Sequence, residues 1–346
     1  MKLLNIIGFA AAVLSCVPFV GAQEASDKAK VRAYVHLPKQ KSPTLLELET
    51  ASGKNKFRFV VPRSGGQQME ATVGSCSLFL IQTPADLAEG MNEYREGDLT
   101  ACRKRMANCR KKYEHYMGLP GNPAAIAALY ELKAAVRQMD WAAAAALAGS
   151  FPADDPTMSD YDKATARVAA MMGGIAQNGG DLAAVEALLA DKELLKSVNA
   201  EVYGWLCYAK ARALEAKVPA DQIKGGLSGD AAKTASQAVD AYCQCVVSHH
   251  SIATELPKDA LRRALPMLWA MPGVKEYSKR VHTPVDAKGW NGAPADFRDA
   301  VAMAQLMKTV YDPDTKNELV DSLARLHYNT AKDRKKDKKA DAPAKK

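Results

Sequence analysis

The fold class predicted by this sequence is mainly α-helical, with a small antiparallel β-module at its N-terminal end, and three observations predict it. Aromatic residues make up only 7% of the chain while alanine-rich runs such as "WAAAAALAG" (141–149) abound, which favours closely packed helices over a sandwich of sheets. Four short runs rich in Val, Phe, Tyr and Leu fall between about residues 30 and 82, partly alternating and broken by turn residues. From Thr83 onward the apolar residues change to a helical period. With 346 residues, 48% of them hydrophobic, the chain is long enough for one or two domains, each with a sizeable core.

The chain begins "MKLLNIIGFAAAVLSCVPFVGAQEAS": a lysine at once, an apolar run from Leu3 to about Val20, then small residues before the polar Gln23. That is the pattern of a secretory signal peptide, and cleavage is expected after Ala22. An uncleaved anchor fits less well because Pro18 interrupts the run. Lipoprotein processing at Cys16 is the other alternative, set against by Leu14, which is not small, and by the apolar stretch continuing past the cysteine. No other segment is long and apolar enough to span a bilayer, so the mature chain is expected to be exported, periplasmic or secreted, and not an integral membrane protein.

The net charge of +8 belongs mostly to the C-terminus. Residues 331–346, "AKDRKKDKKADAPAKK", hold 8 Lys or Arg against 3 Asp, which leaves 38 basic and 36 acidic residues in 23–330. A low-complexity run of this kind, 332–346, has little apolar surface to bury and is expected to be disordered. It serves solubility or attachment to an anionic envelope polymer; nucleic acid is a poor match for an exported chain. A second basic cluster, Arg103, Lys104, Arg105, Arg110, Lys111 and Lys112, spreads around one predicted helix and reads as a solvated face.

In chain order, "KVRAYVHLP", "TLLELET", "KFRFVVP" and "GSCSLFLIQ" are separated by "KQKSP", "ASGKN" and "RSGGQQ". They predict three or four antiparallel strands in a β-module over 30–82, of a size compatible with an SH3-like or Sm-like barrel. The next helix opens at "TPADLAEG", with Thr83 as cap and Pro84 in the first turn, and carries Leu87, Met91 and Tyr94 on one face. Gly97-Asp98 ends it, and "LTACRKRMANCRKKYEHYMG" forms a second helix antiparallel to the first.

Gly90, Gly97, Cys102 and Cys109 follow one another at intervals of seven, five and seven residues, with Met106 between the cysteines. This hairpin, 83–117, resembles a tetratricopeptide repeat, in which small residues sit where two helices approach closely across a Gly-Asp turn. Echoes follow in "NPAAIAALYELKAAVRQMDWAAAAALAGSFP", in "SDYDKATARVAAMMGGIAQNGGDLAAVEALLADKELL" with Gly173 and Gly180 seven apart, and in the pair "NAEVYGWLCYAKARALEAK" and "GDAAKTASQAVDAYCQCVVSHH". That last pair has a long connection, 217–229. Further helices are expected near 257–271, 295–311 and 313–331. The resemblance covers about 83–250 and implies an irregular tetratricopeptide-like α-solenoid over 83–331, whose groove would hold a protein or peptide partner.

The stretch "AYCQCVVSHH" (241–250) carries Cys243, Cys245, His249 and His250. On a helix, Cys245 and His249 share a face, while Cys243 and His250 lie about 10.5 Å apart along the axis on another side. Four ligands so placed cannot close around one zinc ion. Cys245 instead continues a stripe with Ala231, Ala235, Ala238, Tyr242 and Val246, where a free cysteine packs as a small hydrophobe. No metal site and no cofactor are therefore expected.

After signal removal six cysteines remain: Cys76, Cys102, Cys109, Cys207, Cys243 and Cys245. Cys102 and Cys109 are too far apart on one helix to bridge, whereas Cys207 with Cys243 or Cys245 is sterically open in an oxidising compartment. The sequence has no G-x-S-x-G, H-E-x-x-H, P-loop or dinucleotide-binding motif, and Tyr277, Lys279 and His282 read as the exposed side of a short helix. The expected function is a non-enzymatic protein-binding scaffold of the bacterial cell envelope. The alternative is an envelope metal or thiol protein using Cys207 and the cluster at 243–250.

Overall fold

Alternation of apolar and polar residues builds the first part of the chain. In strand β1 (Val31–His36), Val31, Ala33 and Val35 face inward while Arg32 and Tyr34 face out, the period-2 pattern of a strand with one buried face. Strands β2 (Thr44–Gly53) and β3 (Lys56–Val60) are joined at Lys54-Asn55, where Asn55 takes a left-handed φ of 58°, a conformation asparagine tolerates better than most residues. Strands β4 (Gln68–Thr72) and β5 (Leu78–Ile81) complete an antiparallel sheet ordered β4-β3-β2-β1-β5. The computed structural model describes residues 30–38, 40–61, 66–151, 158–175, 179–249, 255–279 and 290–326. The expected signal peptide, Cys16, His250, His282 and the Lys-rich tail lie outside them.

Five strands stand where three or four are expected. The additional one is β4, whose residues "QMEAT" pair along the whole of β3 from Lys56↔Thr72 to Val60↔Gln68. It has only one fully buried side chain, Ala71, so it carries almost no apolar signal of its own.

Helices α1 (Ala85–Glu96) and α2 (Leu99–Lys112) form a hairpin turned at Gly97, whose φ of 87° is the left-handed conformation that glycine adopts without strain. Asp98 caps α2 by accepting from the Ala101 amide at 3.1 Å. The cap of α1 is Pro84 rather than Thr83, and it makes no side-chain bond because the proline ring has no acceptor to offer. The inner face of the sheet and this hairpin share one core, in which Val35, Leu48 and Phe57 continue into Leu87, Cys102, Met106 and Cys109. Burying each large aliphatic side chain contributes roughly 1.5–3 kcal/mol. Tyr116, in a single turn after α2, ties this core together: its hydroxyl donates to the Leu48 carbonyl (2.8 Å) and accepts from the Val31 amide (3.1 Å).

Beyond it the chain is helical: α3 (Pro123–Arg137), α4 (Trp141–Gly149), α5 (Asp160–Gly173), α6 (Leu182–Ala190), α7 (Lys192–Ser197), α8 (Ala200–Glu215), α9 (Ala220–Gly225), α10 (Gly229–Ser248), α11 (Glu255–Ala270), α12 (Val274–Ser278), α13 (Ala295–Leu306) and α14 (Glu318–Ala324). The chain resolves into two compact units, residues 1–135 with 147–166, and 136–146 with 167–346. In the second unit a Cβ on Gly173 would lie 2.7 Å from the backbone of Ala145, so the small residue is what lets α5 approach α4. The connection 217–229 contains α9 and is fastened by the Leu227 amide, which donates to the Ala270 carbonyl at the end of α11 (2.8 Å). The helix expected over 313–331 is shorter, starting only at Glu318, where Asn317 accepts from the Leu319 and Val320 amides. Among the described residues no helix is long and apolar enough to cross a membrane.

Candidate functional site

The C-terminal half of α10 packs against α8, and the two helices carry the cysteines and histidine singled out by spacing. Cys245 is buried with Ala235, Ala238, Tyr242 and Val246 on one face, while Ala231, at the start of that stripe, is only half-buried. Cys207 is buried on α8 and its thiol donates to Gln244 Oε1 at 3.6 Å, a weak bond; Cys243 is half-buried. The six cysteines among the described residues are free thiols. Burial pushes Cys207 and Cys243 up to about 11 and raises Cys245 well above the ordinary thiol range, so these groups stay protonated near neutral pH and are poor nucleophiles and ligands. Among the described residues no three of His, Cys, Asp and Glu are placed to hold one metal ion.

His249 is the unusual member. It closes the C-terminus of α10, is only 1% exposed, and its Nδ1 lies 2.9 Å from the Cys245 carbonyl. A carbonyl only accepts, so Nδ1 carries the proton, and in the neutral ring Nε2 presents a lone pair. That nitrogen is buried with no hydrogen-bond partner among the described residues. The Cys245 sulfur is 3.9 Å from the same Nδ1, too long and too weakly polar to compete with the carbonyl. Burial holds the imidazole below its ordinary pKa; the bond to Cys245 and the charge of Glu201 oppose this, and Arg137 adds to it. Arg137 and Glu201 are themselves a buried pair, Nε to Oε1 at 2.5 Å.

The space for the ring comes from Gly204. A Cβ there would lie 2.2 Å from His249 Cε1 and 2.4 Å from Nδ1. "EVYGWLC" contains the only signal that could have disclosed this contact, since a glycine inside a helix costs about 1 kcal/mol relative to alanine and so points to a close approach.

One turn further along, α8, α10 and α11 are joined by a polar network that spacing did not reveal. Tyr208 donates to Asp259 (2.6 Å) and Tyr242 to Glu215 (2.5 Å), while Arg263 donates to both carboxylates (2.6 Å to Asp259 and 3.2 Å to each Glu215 oxygen). Trp141 stacks on Tyr208 with ring centres 6.0 Å apart. Burial, and after it the adjoining carboxylates, raise both phenols far above their ordinary range. They act as fixed donors, and Arg212, 3.4 Å from Glu215 and donating to the Tyr208 hydroxyl, supplies the second positive charge that matches the two carboxylates. Tyr277, read as exposed, is instead half-buried edge-on against Phe297 (5.0 Å), while Lys279 is exposed.

The first unit holds two further features. A cleft of about 510 Å³ is lined by Lys30, Arg32, Asp86, Glu89, Lys112 and Tyr113. Within it Lys112 pairs with Asp86 at 2.7 Å and Tyr113 donates to the same carboxylate at 2.9 Å, while Lys30 and Glu89 pair outward with Glu47 and Arg105. The outer face of the sheet carries Tyr34 (40% exposed), Leu45 (37%), Leu78 (40%) and Leu80 (58%). Tyr34 stands opposite Leu45 on one side and Leu80 on the other, so three of these four residues form one row across three strands.

No protein-family model, no curated protein and no solved structure matches this chain. Its class is therefore stated by architecture: a mainly helical chain that begins with a five-stranded antiparallel sheet.

Proposed function

We propose that this is an exported, non-catalytic scaffold of the bacterial cell envelope that binds a protein or peptide along a tetratricopeptide-like stack of helices. The observation that carries the reading is the order of packing in the second unit: α8 packs on α10, α10 on α11, α11 on α13 and α13 on α14. Each helix thus lies against the next substantial one in the chain, the arrangement of repeat arrays, which offer extended surfaces rather than one reactive cleft. The buried, protonated thiols and the internally matched Tyr–carboxylate–Arg network add to this reading, because neither leaves a reactive group pointing at a substrate. The export signal and the Lys-rich tail bear on location, the tail by attraction to an anionic envelope polymer.

In-cell crosslinking followed by mass spectrometry tests the proposal. A polypeptide recovered reproducibly through residues of α8–α14 is the expected result; recovery of the chain alone, or with a small molecule, contradicts it. Metal analysis separates the alternative: one equivalent of zinc or copper that is lost on Cys245→Ser would replace the scaffold by a metal protein.

A further inference from the structure

The two edges of the sheet are protected very differently. Strand β4 exposes Gln68, Glu70 and Thr72, with Glu70 paired to Arg58 of β3. Strand β5 reads Leu78, Phe79, Leu80, Ile81 and has no charge, proline or bulge. Folded proteins blunt exposed strand edges with such devices because an open row of amides and carbonyls recruits another strand. Among the described residues only the shortness of the strand does so at β5.

The register says which strand would fit. Gln82 donates to the Arg32 carbonyl (2.7 Å), and Tyr34 lies opposite Leu80. Backbone groups alternate sides along a strand, so those of Leu80 and Gln82 turn toward β1 while those of Phe79 and Ile81 turn to the open edge. We propose that β5 is a self-association edge, pairing antiparallel with β5 of a second copy of this chain about a two-fold axis through Leu80. Phe79 of one copy then faces Ile81 of the other, as two hydrogen-bonded pairs that supply four backbone bonds, and the two Leu80 side chains meet as the close, non-hydrogen-bonded pair between them.

The side chains favour the same partner. The exposed row Leu45, Tyr34, Leu80 runs to the edge and stops there. The two-fold axis continues it as Leu80, Tyr34, Leu45 of the second copy, giving one apolar row across six strands. The contact is smaller than the roughly 1,200 Å² above which specific interfaces are usually stable, so the dimer is weak and depends on concentration. The inference involves only the first unit and is independent of the scaffold reading.

Sedimentation equilibrium of the mature chain, carried up to several hundred micromolar, gives the first test. Concentration-dependent dimer is expected, and Leu80→Lys should return the chain to monomer; Leu80 is more than half exposed, so the variant keeps its core, as circular dichroism would register. Placing cysteine on the axis gives the second. In a Cys76→Ser background, Leu80→Cys should form a covalent dimer on mild oxidation, because a close antiparallel pair has Cα atoms within disulfide range, whereas Leu45→Cys, on the same face but two strands in, should not. A monomer at every concentration, a dimer indifferent to Leu80→Lys, equal crosslinking at 45 and 80, or an edge that takes up an extended apolar peptide while the chain stays monomeric would each overturn the proposal.

Discussion

His249 and Gly204 show how much one residue can depend on another 45 positions away. The imidazole fills the space that a Cβ at 204 would occupy, so Gly204→Ala sets a gain in helix propensity of about 1 kcal/mol against overpacking of about 1–3 kcal/mol, and more where the ring cannot move. Net destabilisation of up to about 2 kcal/mol is expected in denaturant titration; a stabilised variant would show that the ring is free to leave. The same ring sets a pH dependence. Its folded pKa lies below the ordinary 6.5, so the unfolded chain takes up the proton first as pH falls. Its contribution to stability is therefore intact above about pH 6.5 and is lost progressively as pH drops from there through the lower folded value. His249→Gln should flatten that part of the stability curve, measured as midpoint against pH. A slope equal to that of the unaltered chain would assign the effect elsewhere. Lys133 is a second residue whose surroundings only the fold supplies: its ammonium sits 4.9 Å from the ring centre of Tyr94, 5.1 Å from Tyr130 and 5.8 Å from Tyr161, and donates to the Tyr161 hydroxyl at 3.3 Å.

At the scale of elements, hairpin turns and helix contacts carry the stability. Gly97 ends α1 with φ 87°, and Gly97→Ala should cost about 1 kcal/mol, since a Cβ in the left-handed region is strained and no neighbour crowds the site. Removing the phenol in Tyr242→Phe leaves Glu215 with one donor fewer in a half-buried place, an expected loss of about 1–3 kcal/mol by chemical denaturation. Most helices between α1 and α13 were legible because apolar residues recur every three or four positions and cap residues mark their starts; α9, inside the expected connection 217–229, was not. Strand β4 was not legible, because an edge strand that buries little has no alternating apolar signal and is recognised only by its pairing with β3. The small residues at Gly90, Cys102 and Cys109 were legible as positions, and all three are buried. That the hairpin they belong to completes the core of the sheet was not, since nothing in a local pattern names the surface against which it packs.

For the whole molecule, the basic tail and the body are separable. The residues 332–346 hold no large apolar side chain, so their deletion should leave the thermal midpoint unchanged while weakening adsorption to an anionic polymer, most visibly at low salt. Equal adsorption before and after deletion would move the electrostatic contact to the body. The composition, the apolar periods and the turn residues, all properties of near neighbours, determined by themselves that this chain would be mainly helical behind a short antiparallel sheet, with Cys102, Cys109 and Cys245 at small interior positions. Only the tertiary structure decided that an imidazole lies over Gly204, that two phenols, two carboxylates and an arginine lock α8, α10 and α11, and that β5 is left as an uncharged edge. Those outcomes depend on side chains tens of residues apart meeting at particular distances, and a one-dimensional pattern carries the tendency to bury a residue but not the identity of what it is buried against.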